Sequence, residues 1–167
     1  MKILVPLADG FEDIEAITVI DVLKRAGIEV EPVGLNSITV RSKCGIRVIL
    51  EKRLDMVKDE DYDGIFIPGG SEGVQNLLRS SRVLSMLKKF DQDGKLIAAI
   101  CAGPLVLAKA GILDNRRATI YPGLERQIPY PRGERVVVDG NVVTSQGPGT
   151  AMEFALKLVE ILKGKEK

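Results

Sequence analysis

Short apolar runs that end at glycine or proline and then give way to a helical pattern recur along this chain. The clearest is Leu96–Ile100, which follows Gly94-Lys95 and is closed by Gly103-Pro104. An apolar run of this length is typical of a parallel strand that is buried on both faces. Strands that alternate with helices predict a mainly parallel sheet covered on both sides. The predicted fold is therefore an α/β three-layer sandwich.

The same signals divide the whole chain into alternating elements. Strands are predicted at Lys2–Leu7, Glu29–Leu35, Gly64–Ile67, Leu96–Ile100, Ala118–Tyr121, Glu134–Val138 and Val142–Ser145, with a β-hairpin within Thr39–Glu51. Helices are predicted from Gly10 to about Ala26, from Ser71 or Glu72 to Leu78, at Arg82–Asp91 and Leu105–Ala110, and from Thr150 to about Leu162. Two pairs have capping-box spacing and should begin the first and last helices, namely Asp9 with Glu12 and Thr150 with Glu153.

Length and composition predict one soluble domain over residues 1–167, with a frayed tail at 163–167. Lys and Arg number 24 against 23 Asp and Glu, and a net charge of +1 offers no surface for nucleic acid or an anionic membrane. No apolar run is long enough to cross a bilayer, and Met1–Leu7 is too short for a signal peptide. We expect a cytoplasmic protein with neither nucleic-acid nor membrane partners.

The sequence contains no histidine and only two cysteines, Cys44 and Cys101. The absence of histidine excludes a Cys-His or Ser-His pair within the chain and removes the commonest metal ligand. Two cysteines without a Cys-x-x-Cys motif do not suggest zinc, so neither a metal nor a cofactor is expected. A Cys44–Cys101 disulfide is possible in principle, but the cytoplasmic interpretation disfavours it.

Cys101 directly follows the clearest buried strand and precedes the predicted helix start at Gly103-Pro104. This is the layout of a strand-turn-helix nucleophile elbow, with cysteine as the nucleophile. Ligands of α/β proteins bind at such strand ends, and the N–H dipoles of a helix start favour the thiolate. The alternative is a small core thiol, since free cysteine is among the most buried residue types.

Two other strand ends, at Leu7 and Ile67, should lie at the same edge of the sheet. The helix after Leu7 carries Glu15 at the end of an apolar face, where loss of water would raise the carboxyl pKa and suit proton exchange with a thiol. The alternative is a first-turn glutamate that faces solvent.

Gly69-Gly70 follow the strand that ends at Ile67. Glycine lets backbone N–H groups approach a ligand closely, so the N–H groups of Gly70 and Ala102 are candidates for an oxyanion hole beside Cys101. The alternative is a tight strand-to-helix connection without a functional role.

The first predicted helix is apolar on more than one side, through Ile14, Ile17, Val19, Ile20, Val22 and Leu23. Such a helix is usually buried on two sides, one against the sheet and the other in a symmetric dimer. The alternative is a helix covered by neighbouring loops.

Taken together, these segments resemble the ThiJ/PfpI superfamily, in the branch of the parkinsonism-associated protein deglycase. The segments that carry the resemblance are Asp9–Glu15, Asp21–Gly27, Pro68–Gly70, Gln75–Leu77, Ala98–Pro104 and Thr144–Thr150. They span nearly the whole chain in order, so the combination is far more specific than any single motif.

The resemblance implies a flavodoxin-like sandwich and a homodimer with the first helix at its interface. It implies that Cys101 is a reactive, easily oxidised thiol, that Glu15 is a protonated glutamate bonded to its sulfur, and that Gly70 and Ala102 supply backbone donors. It also implies that Arg25 lies near the site and the interface. The family's activities include cofactor-free conversion of methylglyoxal to lactate, removal of early glycation adducts, peroxide sensing, chaperoning and, in another branch, proteolysis.

The sequence departs from the family pattern at three positions. Tyr121 stands where many relatives have histidine, so a second proton carrier is missing, and tyrosine is a poor base near neutrality. Cys44 stands where relatives often have arginine, and Gln146 stands where members of the close branch have arginine. Loss of these two positive charges would weaken anion binding around the thiol. The proteolytic branch has histidine after the elbow cysteine; Ala102 in that place disfavours a peptidase.

Two hypotheses follow. The first is a cysteine-dependent glyoxalase or deglycase that acts on a small aldehyde or a glycated protein, with Cys101 and Glu15 as catalytic residues. Gly70 and Ala102 would be oxyanion donors, and Gly69, Arg25 and Tyr121 would support them. The alternative is a non-enzymatic redox sensor or chaperone, in which Cys101 is oxidised to a sulfinate.

Overall fold

A six-stranded sheet forms the centre of the computed structural model, which describes residues 1–164. Its strands run in the spatial order β2-β1-β5-β6-β10-β9, and all neighbours are parallel except the antiparallel pair β9 and β10. Their bounds are β1 Lys2–Leu7, β2 Glu29–Gly34, β5 Gly64–Ile67, β6 Leu96–Ile100, β9 Val136–Asp139 and β10 Val142–Ser145. Two small sheets complete the strands, the hairpin β3 Thr39–Arg41 with β4 Arg47–Ile49, and β7 Arg117–Ala118 with β8 Tyr130–Pro131.

Helices cover both faces of the sheet. They are α1 Asp13–Arg25, α2 Ser71–Leu78, α3 Ser81–Gln92, α4 Pro104–Lys109 and α5 Ala151–Lys163, with single 3₁₀ turns at Leu54–Met56, Asp59–Asp61, Glu125–Gln127 and Pro148–Thr150. In β6, Ala98 and Ile100 pack toward α1 and α5, whereas Ile97 and Ala99 pack toward α2, α3 and α4. Because both faces are buried, the strand is apolar throughout. The α/β sandwich predicted from the sequence is confirmed.

Both predicted capping boxes are wrong. The Asp9 carboxylate accepts the Arg41 N–H at 2.9 Å, and α1 begins only at Asp13, without a side-chain cap. The Thr150 hydroxyl is bonded instead to Ser145 Oγ at 2.6 Å and to the Gly147 N–H at 3.1 Å. A distant segment therefore takes the Asp9 side chain, and the preceding turn takes that of Thr150.

Three further details differ from or extend the sequence-based picture. Of the predicted strand Ala118–Tyr121, only Ala118 is in a strand, because β7 ends at this residue and Tyr121 lies in a loop. Helix α5 includes Lys163, and residues 165–167 of the predicted frayed tail lie outside the described residues. Within residues 1–164, no helix is long and apolar enough to cross a membrane.

Candidate active site

The carboxyl ends of β1, β5 and β6 meet at one edge of the sheet, as expected from their neighbouring positions. Cys101 starts the turn after β6 with φ = 64°, and among residues 1–164 it is the only residue other than glycine with positive φ. Its N–H donates to the Ser145 carbonyl at 3.0 Å, and its carbonyl accepts the Tyr121 N–H at 2.9 Å. Strained backbone held by bonds on both sides is typical of a nucleophile elbow, and the turn at Cys101 has this geometry.

Glu15 lies in the first turn of α1 and is fully buried. Its Oε1 accepts the Gly69 N–H at 2.9 Å, whereas its buried Oε2 has no hydrogen-bond partner among residues 1–164. The carboxyl lies close enough to the Cys101 thiol for each group to shift the pKa of the other. The structure therefore brings the two predicted catalytic side chains together. The alternative interpretation, a glutamate that faces solvent, is wrong.

Burial controls the ionisation of this pair. It raises the pKa of the Glu15 carboxyl to about 7, against the lowering effects of the neighbouring Cys101 thiol and of the Gly69 N–H. Burial first, and then the charge of Glu15, raise the pKa of the Cys101 thiol to about 12, while the N–H groups of Ala102 and Gly70 lower it. Near neutrality the two groups thus hold at most one negative charge between them. Burial and the charge of Glu15 thus outweigh the N–H dipoles that were expected to favour the thiolate of Cys101.

The backbone donors predicted beside the thiol are also in place. The N–H groups of Gly70 and Ala102 both face the Cys101 sulfur. Gly70 has φ = 97°, and a Cβ there would overlap the Gly10 carbonyl and lie 2.7 Å from the Glu12 nitrogen. Only glycine lets the chain pass this closely and turn its N–H inward.

Gly69 lies between Glu15 and Cys101, where there is no room for a side chain. A Cβ at Gly69 would overlap both Glu15 Oε1 and Cys101 Cβ. We expect Gly69→Ala to lower the free energy of unfolding by about 1–3 kcal/mol, as overpacking does, and to separate the carboxyl from the thiol. Gly133→Ala is the control, because a Cβ there meets no atom within 4 Å. Equal urea midpoints for the two variants would contradict this account.

A cavity of about 350 Å³ opens above the thiol. Its lining includes Cys101, Glu15, Gly70, Ala102 and Tyr121 from the sequence-based prediction. It also includes residues that sequence reasoning did not identify as functional, namely Glu12, Lys43, Ser71, Leu124 and Pro148.

Lys43 reaches the cavity because the β3–β4 turn folds back onto α1. Its N–H donates to the Phe11 carbonyl at 2.8 Å, and Cys44 Sγ lies 3.1 Å from Asp13 Oδ2. The positive charge of Lys43 lowers the pKa of Glu15, although less than burial raises it. No local pattern places a turn residue here, so the sequence carried no signal for it.

Two residues that the resemblance associates with the site lie elsewhere. Arg25 is in the last turn of α1, about 15 Å along the helix axis from Glu15, and pairs with Asp21 at 2.9 Å. Gln146 donates to the Gly133 carbonyl at 3.1 Å. Within one chain, then, Arg25 is not part of this site. Both cysteines are free, so the structure contains no Cys44–Cys101 disulfide.

Comparison with known proteins agrees with this geometry. The model of the DJ-1/PfpI family matches residues 1–161. Protein dj-1beta of Drosophila melanogaster is 43% identical over 98% of this chain and 90% of its own length. The glutathione-independent glyoxalase DJR-1.2 of Caenorhabditis elegans is 40% identical over 99% of this chain and 89% of its own.

Solved structures lead to the same family. The structure described as Toxoplasma gondii DJ-1, oxidized, superposes with a TM-score of 0.95 at 44% identity. The superposition covers 99% of this chain and 92% of that one. The chain therefore belongs to the DJ-1/PfpI family.

Proposed function

We propose that this protein is a cysteine-dependent glyoxalase or deglycase that converts reactive 2-oxoaldehydes such as methylglyoxal into 2-hydroxy acids. The observation that carries the proposal is the buried contact between Glu15 and the thiol of Cys101, at an elbow with positive φ. A relative that is 40% identical is named a glutathione-independent glyoxalase, which supports the same chemistry.

The first step forms a hemithioacetal. Glu15, with a pKa of about 7, is poised as a general base for the thiol proton. As the sulfur bonds to the aldehyde carbon, Glu15 takes this proton and then returns it to the new alkoxide. The N–H groups of Gly70 and Ala102, which face the sulfur, are the donors closest to the developing charge.

The second step is an internal redox change. Glu15 removes the proton from the former aldehyde carbon, and the neighbouring ketone carbon receives a proton. The hydroxyl proton of the hemithioacetal moves at the same time to the former ketone oxygen. The first carbon is oxidised to a thioester, and the second is reduced to an alcohol by the same electron pair. Water then hydrolyses the thioester, which releases lactate and restores the thiol, so the cycle needs no external oxidant or reductant.

The test is to incubate the purified protein with methylglyoxal, without added thiol or metal, and to measure methylglyoxal consumption together with lactate formation. Lactate that appears in proportion to the methylglyoxal consumed supports the proposal. Consumption without lactate, or no consumption, contradicts it.

Tyr121 lies beside Cys101 where many relatives have a histidine that carries protons. We expect Tyr121→His to raise kcat for methylglyoxal by at least about tenfold, since a well-placed acid–base group contributes 10²–10⁴-fold. Tyr130→His is the matched control, because Tyr130 as a residue is 49% exposed, against 48% for Tyr121, and lies outside the cavity. An unchanged rate in the Tyr121 variant would show that the missing histidine does not limit turnover.

A redox sensor at the same thiol is the second candidate function. Two N–H groups face the Cys101 sulfur, where they would bind sulfinate oxygens, and a relative that is 44% identical is described as oxidized. Mass spectrometry after mild peroxide treatment tests it. One or two oxygens on Cys101, with none on the exposed Cys44, would support the sensor; equal oxidation of both would oppose it.

We also propose a homodimer through α1. Ile14 and Ile17 on its outer side are 55% and 49% exposed, although this helix already packs against the sheet through Ala16, Val19 and Leu23. Light scattering should give about twice the chain mass of 18.2 kDa, and a monomer mass would oppose the proposal.

A further inference from the structure

The two sides of the cavity above Cys101 differ in chemistry. Glu12 directly precedes α1 and Lys43 lies in the β3–β4 turn, both on the β1 side of the elbow. Leu124 and Pro148 follow β7 and β10, on the other side. The thiol thus lies between a charged wall and an apolar wall.

Tyr121 also lines the cavity, on the apolar side. A Cβ added to Gly147 would lie 3.4 Å from Tyr121 Cδ1 and 3.6 Å from Cε1, so the ring rests on the Gly147 backbone. The Tyr121 carbonyl accepts the Leu124 N–H at 3.0 Å, which holds the two side chains on one turn. With 48% of the residue exposed, this ring has surface free for a ligand. Aromatic rings in such positions favour other rings, through offset or edge-to-face contacts.

The cavity is also larger than a three-carbon aldehyde requires. Methylglyoxal has five heavy atoms. If each takes about 30 Å³, the volume of a water molecule in the liquid, methylglyoxal would leave roughly half of the 350 Å³ to water. A larger apolar substituent on the ketone carbon would displace that water and contact Tyr121, Leu124 and Pro148. Removal of this apolar surface from water favours binding in proportion to its area.

We infer that the preferred substrates are 2-oxoaldehydes whose ketone carbon carries an aromatic ring or a similarly large apolar group, with Tyr121 as the residue that determines this specificity. The inference rests on the proposed function, and the bonds that form and break are the same as those given for methylglyoxal. The substituent stays attached throughout, and the product is the corresponding 2-hydroxy acid, which is mandelate when the substrate is phenylglyoxal.

The kinetic test compares initial rates with phenylglyoxal and methylglyoxal. We expect kcat/KM to be at least about tenfold higher for phenylglyoxal, which corresponds to about 1.4 kcal/mol. Tyr121→Ala should lower the phenylglyoxal-to-methylglyoxal ratio about tenfold, whereas Tyr130→Ala, outside the cavity, should leave it unchanged. A native ratio at or below one, or equal ratios in the two variants, would overturn the inference.

A binding test separates failure of this inference from failure of the proposed function. Alkylation of Cys101 by iodoacetamide is followed by mass spectrometry in the presence of mandelate or lactate, with the exposed Cys44 as internal reference. Mandelate should protect Cys101 at a concentration at least about tenfold lower than lactate, and Tyr121→Ala should remove the difference. Equal protection overturns the inference even if the enzyme is active. Preferential protection by mandelate without turnover of either aldehyde supports the apolar site and rejects the enzyme.

Discussion

Cys101→Ser should lower kcat/KM for methylglyoxal by at least about 10³-fold. The serine hydroxyl fits the same strained position, but its oxygen is a much weaker nucleophile than sulfur and holds its proton more tightly. The buried Glu15 carboxyl, with a pKa of about 7, is too weak a base to activate an alcohol. Because the change is nearly isosteric, the variant should unfold at a urea concentration close to that of the native protein.

The chain supplies its own control for this experiment. Cys44 is exposed, lies outside the cavity, and has its sulfur 3.1 Å from Asp13 Oδ2. A serine hydroxyl can donate to the same carboxylate, so Cys44→Ser should retain the native rate within about twofold. Turnover that survives in Cys101→Ser, or that is lost equally in both variants, would show that the elbow thiol is not the nucleophile.

The elbow was predictable because its signals are local. A buried apolar strand, a cysteine and a Gly-Pro helix start are consecutive in sequence, so strand direction alone places Cys101 at the carboxyl edge. Glu15 and Gly69 were predictable for a related reason, since each follows another strand that ends at that edge. Parallel strands with right-handed crossovers bring these ends together regardless of the conformation of the loops between them.

The sequence-based predictions that failed concern contacts between segments that are distant in sequence. Asp9 has good capping-box spacing, yet the Arg41 backbone, 32 residues away, takes its carboxylate. Lys43 enters the cavity only because the β3–β4 turn docks on α1. Ionisation of Cys101 was misjudged for a similar reason, because the helix dipole was considered without the burial of the thiol and the charge of Glu15 beside it. In each case a tertiary partner outweighed a local rule.

Glu15→Gln should stabilise the protein at alkaline pH. In the native state the Glu15 pKa is about 7, above the ordinary value of 4.5 that applies to an unfolded chain. The folded state therefore binds this proton more tightly than the unfolded state, and its contribution is fully present below pH 4.5 and lost as pH rises through 7. Between pH 5 and pH 8 the native protein should lose about 2–3 kcal/mol of unfolding free energy from this carboxyl. Glutamine cannot ionise and should lose none of it.

The measurement is urea unfolding of the native protein and Glu15→Gln at pH 5, 6, 7 and 8. The difference in unfolding free energy should grow in favour of the variant with increasing pH, and Glu51→Gln, at an exposed carboxyl, should show no such growth. A constant difference across this range would contradict the buried, proton-binding carboxyl.

The same substitution should remove the catalytic base. Native kcat/KM for methylglyoxal should rise with pH and level off above about 7, as Glu15 ionises and becomes able to accept the thiol proton. In Glu15→Gln the rate should fall at least about 10²-fold and lose this rise. Activity and stability would then change in opposite directions at pH 8, because the ionised carboxylate that destabilises the fold is the form that takes the proton from Cys101. A variant that gains stability yet keeps the native pH profile would separate the two effects and remove Glu15 from the chemistry.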